Sequence, residues 1–488
     1  FILRGAMDIS RKDKKESFIT FYDVSKAYDH ADSHDMLVTA WDSGLYGKVW
    51  RILKELNTNL TATVQTRHGP TREIDMEIGG KQGSRLTGRL FAKMMDQLSE
   101  EMMETKQGLS LGNDLLIAVL LWVDDVISMT EGQESQMIML EKIDNFAKKH
   151  KLKWGKEKCK VMRVGPHASK ATVKWKLGEH EIDECDSYRY LGDEVSNDGK
   201  NKINIEKGKY KMNGSSATIK AIASNEILCK IETAILLEMH EKISIAGYLT
   251  NCESWNLLKQ ERDELERIEI QAIKSLFDLP LHTPSVAITH SLRLLYTGLR
   301  IDKKQLIYLK RILERDTNHW TRKTLNELKK RNIGWFRMIT KTLEKYGLPT
   351  SLDEIGRYKP LVWKKIVSDQ IEKHHKERIR NDCYKKENDQ QQAKTKTLSI
   401  IPIIKKDDYK REARKELLRC NKLETKVIIM ARFGMLECGN NFKGSIPEIC
   451  DSCDVLDNED HRLNYCSKFK DINNFSRAKK SDFSSIYS

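Results

Sequence analysis

The sequence lacks a long run of apolar residues. Its longest run, LLIAVLLWV at residues 115–123, has nine members, whereas a membrane-spanning helix needs roughly 20. The N-terminal stretch FILRGAMDISRKDKKES also lacks the apolar core of a secretory signal peptide. We therefore expect an intracellular protein, nuclear or cytoplasmic, with no membrane partner.

No internal repeat is evident, and the 488 residues are too many for one compact core. We expect about two to four domains. The chain begins at Phe1 rather than Met, so we also expect a fragment. Its ten cysteines are spread irregularly. Because disulfides are rare in reducing compartments, a cluster of these cysteines indicates metal binding before disulfides.

The charge is strongly one-sided. The 85 Lys and Arg residues outnumber the 71 Asp and Glu residues, which gives a net charge of +14 and a pI near 9.1. This balance favours a polyanionic partner such as nucleic acid. A merely basic protein is the alternative.

The pattern of apolar residues changes along the chain. Residues 17–24 (SFITFYDV) predict a strand, and the next stretch predicts a helix closed by Gly44. From about residue 204 long helical patterns dominate, and residues 369–426 are rich in Lys, Arg, Glu and Gln, which is typical of solvated helix or linker. The fold class is therefore α+β, with a mixed front and a helical middle.

Two adjacent carboxylates, Asp124 and Asp125, interrupt an apolar run, which predicts a hairpin with the pair at its turn. For this dipeptide alone, aspartate acting as a turn former is the favoured explanation. A strand carrying Asp23 can lie beside this hairpin in one antiparallel sheet. The three carboxylates would then need a divalent metal, and two Mg²⁺ ions are the usual device for phosphoryl displacement.

A second candidate metal site lies near the C-terminus. In CDSCDVLDNEDHRLNYC, two residues separate Cys450 from Cys453, and His461 and Cys466 follow. Three thiolates and one imidazole form a tetrahedral Zn²⁺ site of the kind found in small zinc modules. A chance cluster is the alternative, but the few apolar residues nearby favour a module that metal stabilises.

Five motifs in a fixed order resemble the palm motifs of a reverse transcriptase, most closely those of non-LTR (LINE-type) retrotransposons. They are FYDVSKAYDH, GGKQGSRLTGRLF, LLWVDDVIS, KLKWGKEKCKVM and YRYLGDEVSNDG. The similarity continues through CESWNLLKQERDELERIEIQAIKSLFDLP, and it extends from about residue 17 to the C-terminus. A group II intron type is the rival within the class, and the cysteine cluster and residues 252–280 argue for the LINE type.

The resemblance implies an RNA-directed DNA polymerase that uses two Mg²⁺ ions and one structural Zn²⁺ in target-primed cDNA synthesis. Its partners would be an RNA template, a DNA primer or target, and dNTPs. The fold would be a right-hand polymerase palm with partial fingers, followed by a helical thumb and a small zinc knuckle. The implied regions are a palm with partial fingers (1–200), a helical thumb (201–345), a basic helical linker (346–430), and the CCHC knuckle with the tail (431–488).

The resemblance also implies a role for each matching residue. Asp23 and Asp124 would bind the catalytic metals and Asp125 would support them. Lys158 falls where the family has a lysine near the pyrophosphate leaving group, although it is also one lysine among many. The implied nucleotide-binding residues are Val24, Tyr28, Gln82 and Gly83, and the implied primer-grip residues are Leu191 and Gly192.

Taken alone, Tyr28 is better explained by an ordinary core aromatic at the start of a helix. The family's usual Ser-Pro is here Thr87-Gly88, and its usual Tyr or Phe before xDD is Trp122. These departures reshape the pocket without removing a metal ligand. The family's basic fingers strands and an endonuclease are not recognisable, so a truncated, inactive relic that only binds nucleic acid is the alternative function.

Overall fold

The structure is a computed structural model that describes residues 1–27, 31–58, 60–76, 84–112, 115–166, 173–224, 231–392, 417–432, 449–457, 461 and 465–467. The chain divides into two compact units. Unit 1 comprises Phe1–Asn201 and Arg315–Met338, and unit 2 comprises Lys202–Glu314 and Ile339–Ser488. None of the helices in the described ranges is both long enough and apolar enough to cross a membrane.

The chain alternates strands and helices as far as residue 201 and is helical afterwards. The strands are β1 (Ser17–Asp23), β2 (Leu60–Ala62), β3 (Gln65–Thr66), β4 (Gly69–Pro70), β5 (Ile74–Met76), β6 (Leu109–Ser110), β7 (Leu116–Ile117), β8 (Val119–Trp122), β9 (Asp125–Glu131), β10 (Lys160–Val164), β11 (Trp175–Leu177), β12 (His180–Glu184), β13 (Ser187–Tyr190) and β14 (Asp193–Ser196).

The helices vary in length from three to 33 residues. They are α1 (Ile2–Lys12), α2 (Ser33–Asp42), α3 (Gly47–Asn57), α4 (Arg85–Glu104), α5 (Gln133–Lys149), α6 (Lys202–Ala223), α7 (Thr233–Met239), α8 (Ala246–Tyr248), α9 (Lys259–Leu276), α10 (Ser285–Leu292), α11 (Thr297–Leu313), α12 (Trp320–Arg331), α13 (Gly334–Lys345), α14 (Leu352–Arg357), α15 (Pro360–Gln392) and α16 (Lys422–Arg432). A π-helical turn (His240–Ile245) joins α7 to α8, and a 3₁₀ turn covers Cys252–Ser254.

The fold is mixed α+β, as the sequence predicted. Unit 1 is built on a six-stranded sheet of order β11-β12-β10-β1-β9-β8. Strand β1 lies inside this sheet and pairs antiparallel with both β9 and β10. Its first six residues are all buried, because both faces of a central strand are covered. The aromatic and β-branched run SFITFYD supplies suitable side chains for such a position.

Helices α2, α4 and α5 supply much of the core beside this sheet. Five buried polar side chains within this core are paired with one another. The hydroxyl groups of Tyr22 and Ser128 lie 2.9 Å apart, and Gln136 bridges Thr20 and Thr130 with bonds of 2.7 and 2.8 Å. Because the polar groups in this set are hydrogen-bonded to one another, these bonds offset the cost of desolvating them, and the network links β1 to β9.

Residues 28–30 of the helix-forming stretch predicted after β1 lie outside the described residues, and α2 covers the later part of that stretch. It begins at Ser33, because the Asp32 side chain accepts a hydrogen bond of 2.8 Å from the His34 N–H and so caps the helix. The predicted end is confirmed, since Gly44 follows the helix with a φ of +91°.

Helix α12 belongs to unit 1 although it lies far along the chain. The Arg331 guanidinium contacts Asp13 at 3.2 Å and Glu327 at 2.6 Å. A Cβ at Gly5 of α1 would come within 2.7 Å of Thr324, so glycine lets α1 and α12 approach closely. Sequence analysis had grouped these residues with the helical region 201–345.

Unit 2 is helical and contains buried ion pairs. Asp302 on α11 is 1% exposed, and it contacts Arg262, the Lys345 ammonium at 2.9 Å and the Tyr346 hydroxyl at 2.7 Å. These partners hold the pKa of Asp302 below its ordinary value despite burial. A buried carboxylate with several cationic and hydroxyl partners constrains how α9, α11 and α13 pack.

Candidate active site and metal centre

The strand register brings two of the predicted carboxylates together. Asp23 at the end of β1 lies opposite Asp125 at the start of β9, where Cα atoms of paired residues are about 4.5–5.5 Å apart. Asp124 occupies the tight turn between β8 and β9, as predicted. The turn requires a φ of +58° at Val123, a conformation that β-branched residues rarely adopt. Such strain is typical of functional sites.

Asp23, Asp124 and Asp125 form what we call the acidic corner, and its electrostatics favour a bound cation. Burial, followed by the charges of Asp124 and Asp23, raises the pKa of Asp125, and the positive charge of Lys158 opposes that rise. Negative charge is therefore concentrated where two strands meet. Carboxylate oxygens are the ligands that divalent cations such as Mg²⁺ take, together with water and phosphate.

Lys158 lies beside the carboxylates. Its ammonium nitrogen is 3.2 Å from both Asp23 carboxylate oxygens, while its side chain remains 69% exposed. The turn that carries it is fixed to β1, because the Gly155 N–H donates to the Asp23 carbonyl at 2.8 Å and the Ser25 N–H donates to the Lys153 carbonyl at 2.8 Å. The backbone thus places Lys158 at the site and leaves its ammonium group exposed to solvent.

The same two hydrogen bonds flank Val24, which forms an isolated antiparallel bridge with Trp154. In this kind of pair the bonds come from the neighbouring residues, so the Val24 N–H and C=O are directed away from Trp154. The Val24 side chain is buried. Its backbone groups therefore lie next to Asp23 in an orientation suitable for a ligand.

Gly155 is a residue that sequence analysis missed. A Cβ at this position would lie 2.7 Å from the Asp23 Oδ2 atom and 3.6 Å from the Asp23 carbonyl oxygen. Only glycine allows the turn to approach Asp23 so closely without displacing the carboxylate. The only feature of the sequence that pointed to this role of Gly155 was its position in a basic stretch, three residues before Lys158.

The β13–β14 hairpin carries the predicted primer-grip residues at its tip. Leu191 and Gly192 form the turn with φ values of +48° and +79°, and Leu191 is 44% exposed. The Tyr188 ring stacks on Phe21 of β1 with centroids 4.1 Å apart and planes at 11°. Burial, together with the charges of Asp23 and other nearby acids, raises the pKa of Tyr188.

Sequence analysis missed Tyr188 as the contact that attaches this hairpin to the strand carrying Asp23. The available signal was the alternation of Tyr188 and Tyr190, which places both rings on one face of a strand. Burial raises the pKa of Tyr190 to about 12. The pair forms an aromatic wall beside the acidic corner.

Three predicted residues, Tyr28, Gln82 and Gly83, lie outside the described residues. Within the second motif, α4 begins at Arg85, and the Ser84 hydroxyl caps it. The two departures from the family pattern have different environments: Thr87 is buried, whereas Trp122 is 64% exposed next to the turn that carries Asp124.

The four predicted zinc ligands lie together. The donor atoms of Cys450, Cys453, His461 and Cys466 are all within 4.8 Å of one another. The Cys466 sulfur is 3.7 Å from that of Cys450 and 3.9 Å from that of Cys453. In a tetrahedral site with Zn–S bonds of 2.3 Å, sulfur atoms lie about 3.8 Å apart. The cluster therefore fits Zn²⁺.

Local backbone bonds create this cluster. The Cys450 carbonyl accepts from the N–H groups of Cys453 at 3.3 Å and Asp454 at 2.9 Å. The His461 carbonyl accepts from the Tyr465 and Cys466 N–H groups, both at 2.8 Å. Hydrogen bonds, first of all with Ser467, lower the pKa of the Cys453 thiol, which favours the thiolate that a metal binds.

Comparison with known proteins identifies the domain that carries the acidic corner. Residues 3–195 match the family model described as "Reverse transcriptase (RNA-dependent DNA polymerase)". The chain therefore contains a reverse transcriptase domain, which is the domain of an RNA-directed DNA polymerase, a nucleotidyltransferase. No curated protein matches the sequence.

Several solved structures are similar at low identity. Apo telomerase from Candida tropicalis is 14% identical over 75% of this chain and 56% of that chain, with a TM-score of 0.34. Telomerase from Candida albicans in complex with a TWJ fragment of telomeric RNA is 12% identical over 73% and 51%, with a TM-score of 0.34. In these two alignments the chain spans about half of the telomerase length.

Proposed function

We propose that this chain is the RNA-directed DNA polymerase of a non-LTR (LINE-type) retrotransposon and that it carries out target-primed cDNA synthesis. The observation that carries the proposal is the juxtaposition of Asp23 and Asp125 in paired strands, with Asp124 in the adjoining turn. The LINE type is supported by the motifs after residue 200, above all residues 252–280 and the Cys-Cys-His-Cys cluster.

In the proposed reaction the 3′-hydroxyl of a primer attacks the α-phosphorus of a dNTP. A new phosphodiester bond forms, the bond to the β-phosphate breaks, and pyrophosphate leaves. Two Mg²⁺ ions, when bound, would activate the attacking oxygen and stabilise the leaving one. Asp23 and Asp124 would hold these ions, and Asp125, as the second carboxylate of the turn, would support them.

The remaining residues would position the substrates. The Val24 backbone is directed away from its bridge partner and would contact the metal or triphosphate. Lys158 has an exposed ammonium that can move from Asp23 towards a developing negative charge on pyrophosphate. Leu191 and Gly192 would contact the primer end from the hairpin tip. Tyr28, Gln82 and Gly83 remain proposed nucleotide-binding residues from the sequence resemblance alone.

The proposed partners follow from the reaction. They are an RNA template, a DNA primer or chromosomal target, and dNTPs, which places the work of the protein in the nucleus. The net charge of +14 suits polyanionic substrates. The cysteine cluster would hold one Zn²⁺ as a structural ion and present a small knuckle to nucleic acid.

The direct test is dNTP incorporation on poly(rA)/oligo(dT) with Mg²⁺. The chain should incorporate dTTP, and Asp124→Ala should reduce incorporation by at least about 1,000-fold, because preorganised electrostatic stabilisation at the reacting centre is lost. Asp96→Ala is the matched control, since Asp96 is an exposed carboxylate on α4 that pairs with Lys93 at 3.3 Å.

Equal incorporation by the chain and by Asp124→Ala would contradict the proposed metal ligands. If neither protein incorporates dTTP while both bind RNA, the alternative function gains support. The chain would then be a relic that binds nucleic acid without catalysis.

A further inference from the structure

Helix α3 has two apolar faces, and only one of them is covered. Of its eleven residues only Leu53 and Asn57 are buried. Val49, Ile52 and Leu56 are 54%, 46% and 51% exposed, and their spacing of three and four residues places them on one stripe. An eleven-residue helix is marginal in water unless packing stabilises it. This stripe has no covering element among the described residues.

A cluster of aromatic rings lies at the junction between α2 and α3. Trp41 contacts the Tyr46 ring at 4.8 Å and the Trp50 ring at 5.2 Å, and the Trp50 indole N–H donates to the Leu37 carbonyl at 3.2 Å. The aromatic rings therefore form a preorganised surface. We call the exposed set the α3 patch: Val38, Trp41, Leu45, Tyr46, Val49, Ile52 and Leu56.

The α3 patch is large for a monomer. Its seven side chains are each 39–55% exposed, and together they present on the order of 500 Å² of apolar surface, near the upper end for single proteins. Such an area corresponds to the apolar centre of a standard interface, in which each partner buries about 800 Å². Rigid exposed Trp and Tyr side chains are typical of the energetic centre of such interfaces.

The charges beside the stripe indicate which partner fits. Lys48 near the start of α3 and Glu55 near its end are seven residues apart, so both lie on the same side of the helix after two turns. Ile52 lies near the midpoint between them. When two copies of α3 pack antiparallel about Ile52, each Lys48 lies next to the Glu55 of the other copy.

We propose that the α3 patch is a homodimer interface, in which α3 packs antiparallel against α3 of a second copy of this chain about a two-fold axis near Ile52. Val49 of one copy then meets Leu56 of the other across the axis. The surface is self-complementary in apolar content and in its Lys48–Glu55 pairs, as a two-fold contact requires. The usual separation between helix axes, about 8–10 Å, accommodates these side chains.

The chemistry of the patch fits protein better than nucleic acid. Five of its seven members are aliphatic, so they offer no flat face for base stacking. Its charged neighbours on α3 include the acid Glu55 as well as the bases Lys48, Arg51 and Lys54. A phosphate-binding surface would instead be uniformly basic.

The test is a charge exchange on the 488-residue chain, read by sedimentation-velocity ultracentrifugation. The unmodified chain should dimerise. Lys48→Glu and Glu55→Lys should each weaken the dimer by roughly tenfold or more, because like charges then meet. The double variant should restore it. Both changes place charges favourably relative to the helix dipole, so neither should unfold α3.

Two further variants bracket the result. Ile52→Asp should abolish the dimer, whereas Met137→Asp, which alters an exposed apolar residue on α5, should leave it intact. A chain that stays monomeric up to about 50 µM would overturn the proposal, since a weaker contact lies far outside the affinity of a specific dimer. A dimer that ignores the charge exchange and Ile52→Asp would overturn it equally.

Discussion

Gly155→Ala should disturb the geometry of the acidic corner, and so reduce activity, while leaving the stability of the fold nearly unchanged. The added Cβ would lie 2.7 Å from the Asp23 Oδ2 atom. That oxygen must retreat by about 0.7 Å to reach ordinary van der Waals contact. The clash involves the end of a side chain rather than backbone, so the protein can relieve it by rotating the Asp23 carboxylate.

We therefore expect Gly155→Ala to reduce activity much more than it reduces stability. Stability should change by no more than about 1 kcal/mol, because alanine also restricts the unfolded chain. Primer extension should fall roughly 30- to 100-fold, since a displacement approaching 1 Å at a reacting centre costs about two orders of magnitude. This loss corresponds to about 2–3 kcal/mol in the activation free energy.

The assay compares urea denaturation midpoints with dTTP incorporation at saturating primer-template. Gly356→Ala is the matched control, because a Cβ at that helical glycine meets no atom within 4 Å, and it should leave incorporation unchanged. If Gly155→Ala retains more than about half of the activity, the argument that close approach to Asp23 matters is refuted. A collapse in stability would refute it as well.

Two other predictions concern the metal sites. Because folding raises the pKa of Asp125 above its ordinary 3.8, ionising this group destabilises the fold. This penalty to stability is absent below pH 3.8, grows as the pH rises towards the raised pKa and is complete above it. Without divalent metal, Asp125→Asn should therefore have a higher thermal midpoint than the parent protein at pH 7. At low pH the two midpoints should be equal. An unchanged midpoint at pH 7 would contradict this. The purified chain should contain one zinc ion per molecule, measured by mass spectrometry of the metal. In competition with a chelator, Cys466→Ser should lower the zinc content by more than about tenfold. The control variant Cys185→Ser should not lower it.

Local patterns in the sequence were sufficient to predict the elements that carry the site. The run SFITFYD has the composition of a buried strand, and it forms β1. The Asp pair predicted a hairpin turn, and Asp124 lies in that turn while Asp125 opens β9. The spacing from Cys450 to Cys466 predicted a four-ligand cluster, and the structure brings its donor atoms together. In each case neighbouring residues decide the local geometry.

Contacts between distant segments were not predictable in this way. Phe21 and Tyr188 each have an ordinary strand environment, and nothing in either segment specifies that their rings stack. Helix propensity also did not specify that α2 would begin after Asp32, whose side chain caps it. The importance of Gly155 depends on its distance from Asp23, which only the folded chain defines.

The return of residues 315–338 to unit 1 shows the same limit at the scale of a domain. The contact between Asp13 and Arg331 joins residues 318 positions apart. Loop-closure entropy grows only logarithmically, by about 0.6 kcal/mol for each doubling of length. Such a long connection is therefore hardly less favourable than a shorter one. A change in periodicity near residue 201 marks where the strands end, but it does not mark where unit 1 ends. Its boundary is set by close packing of α1 on α12, in which Gly5 lies against Thr324.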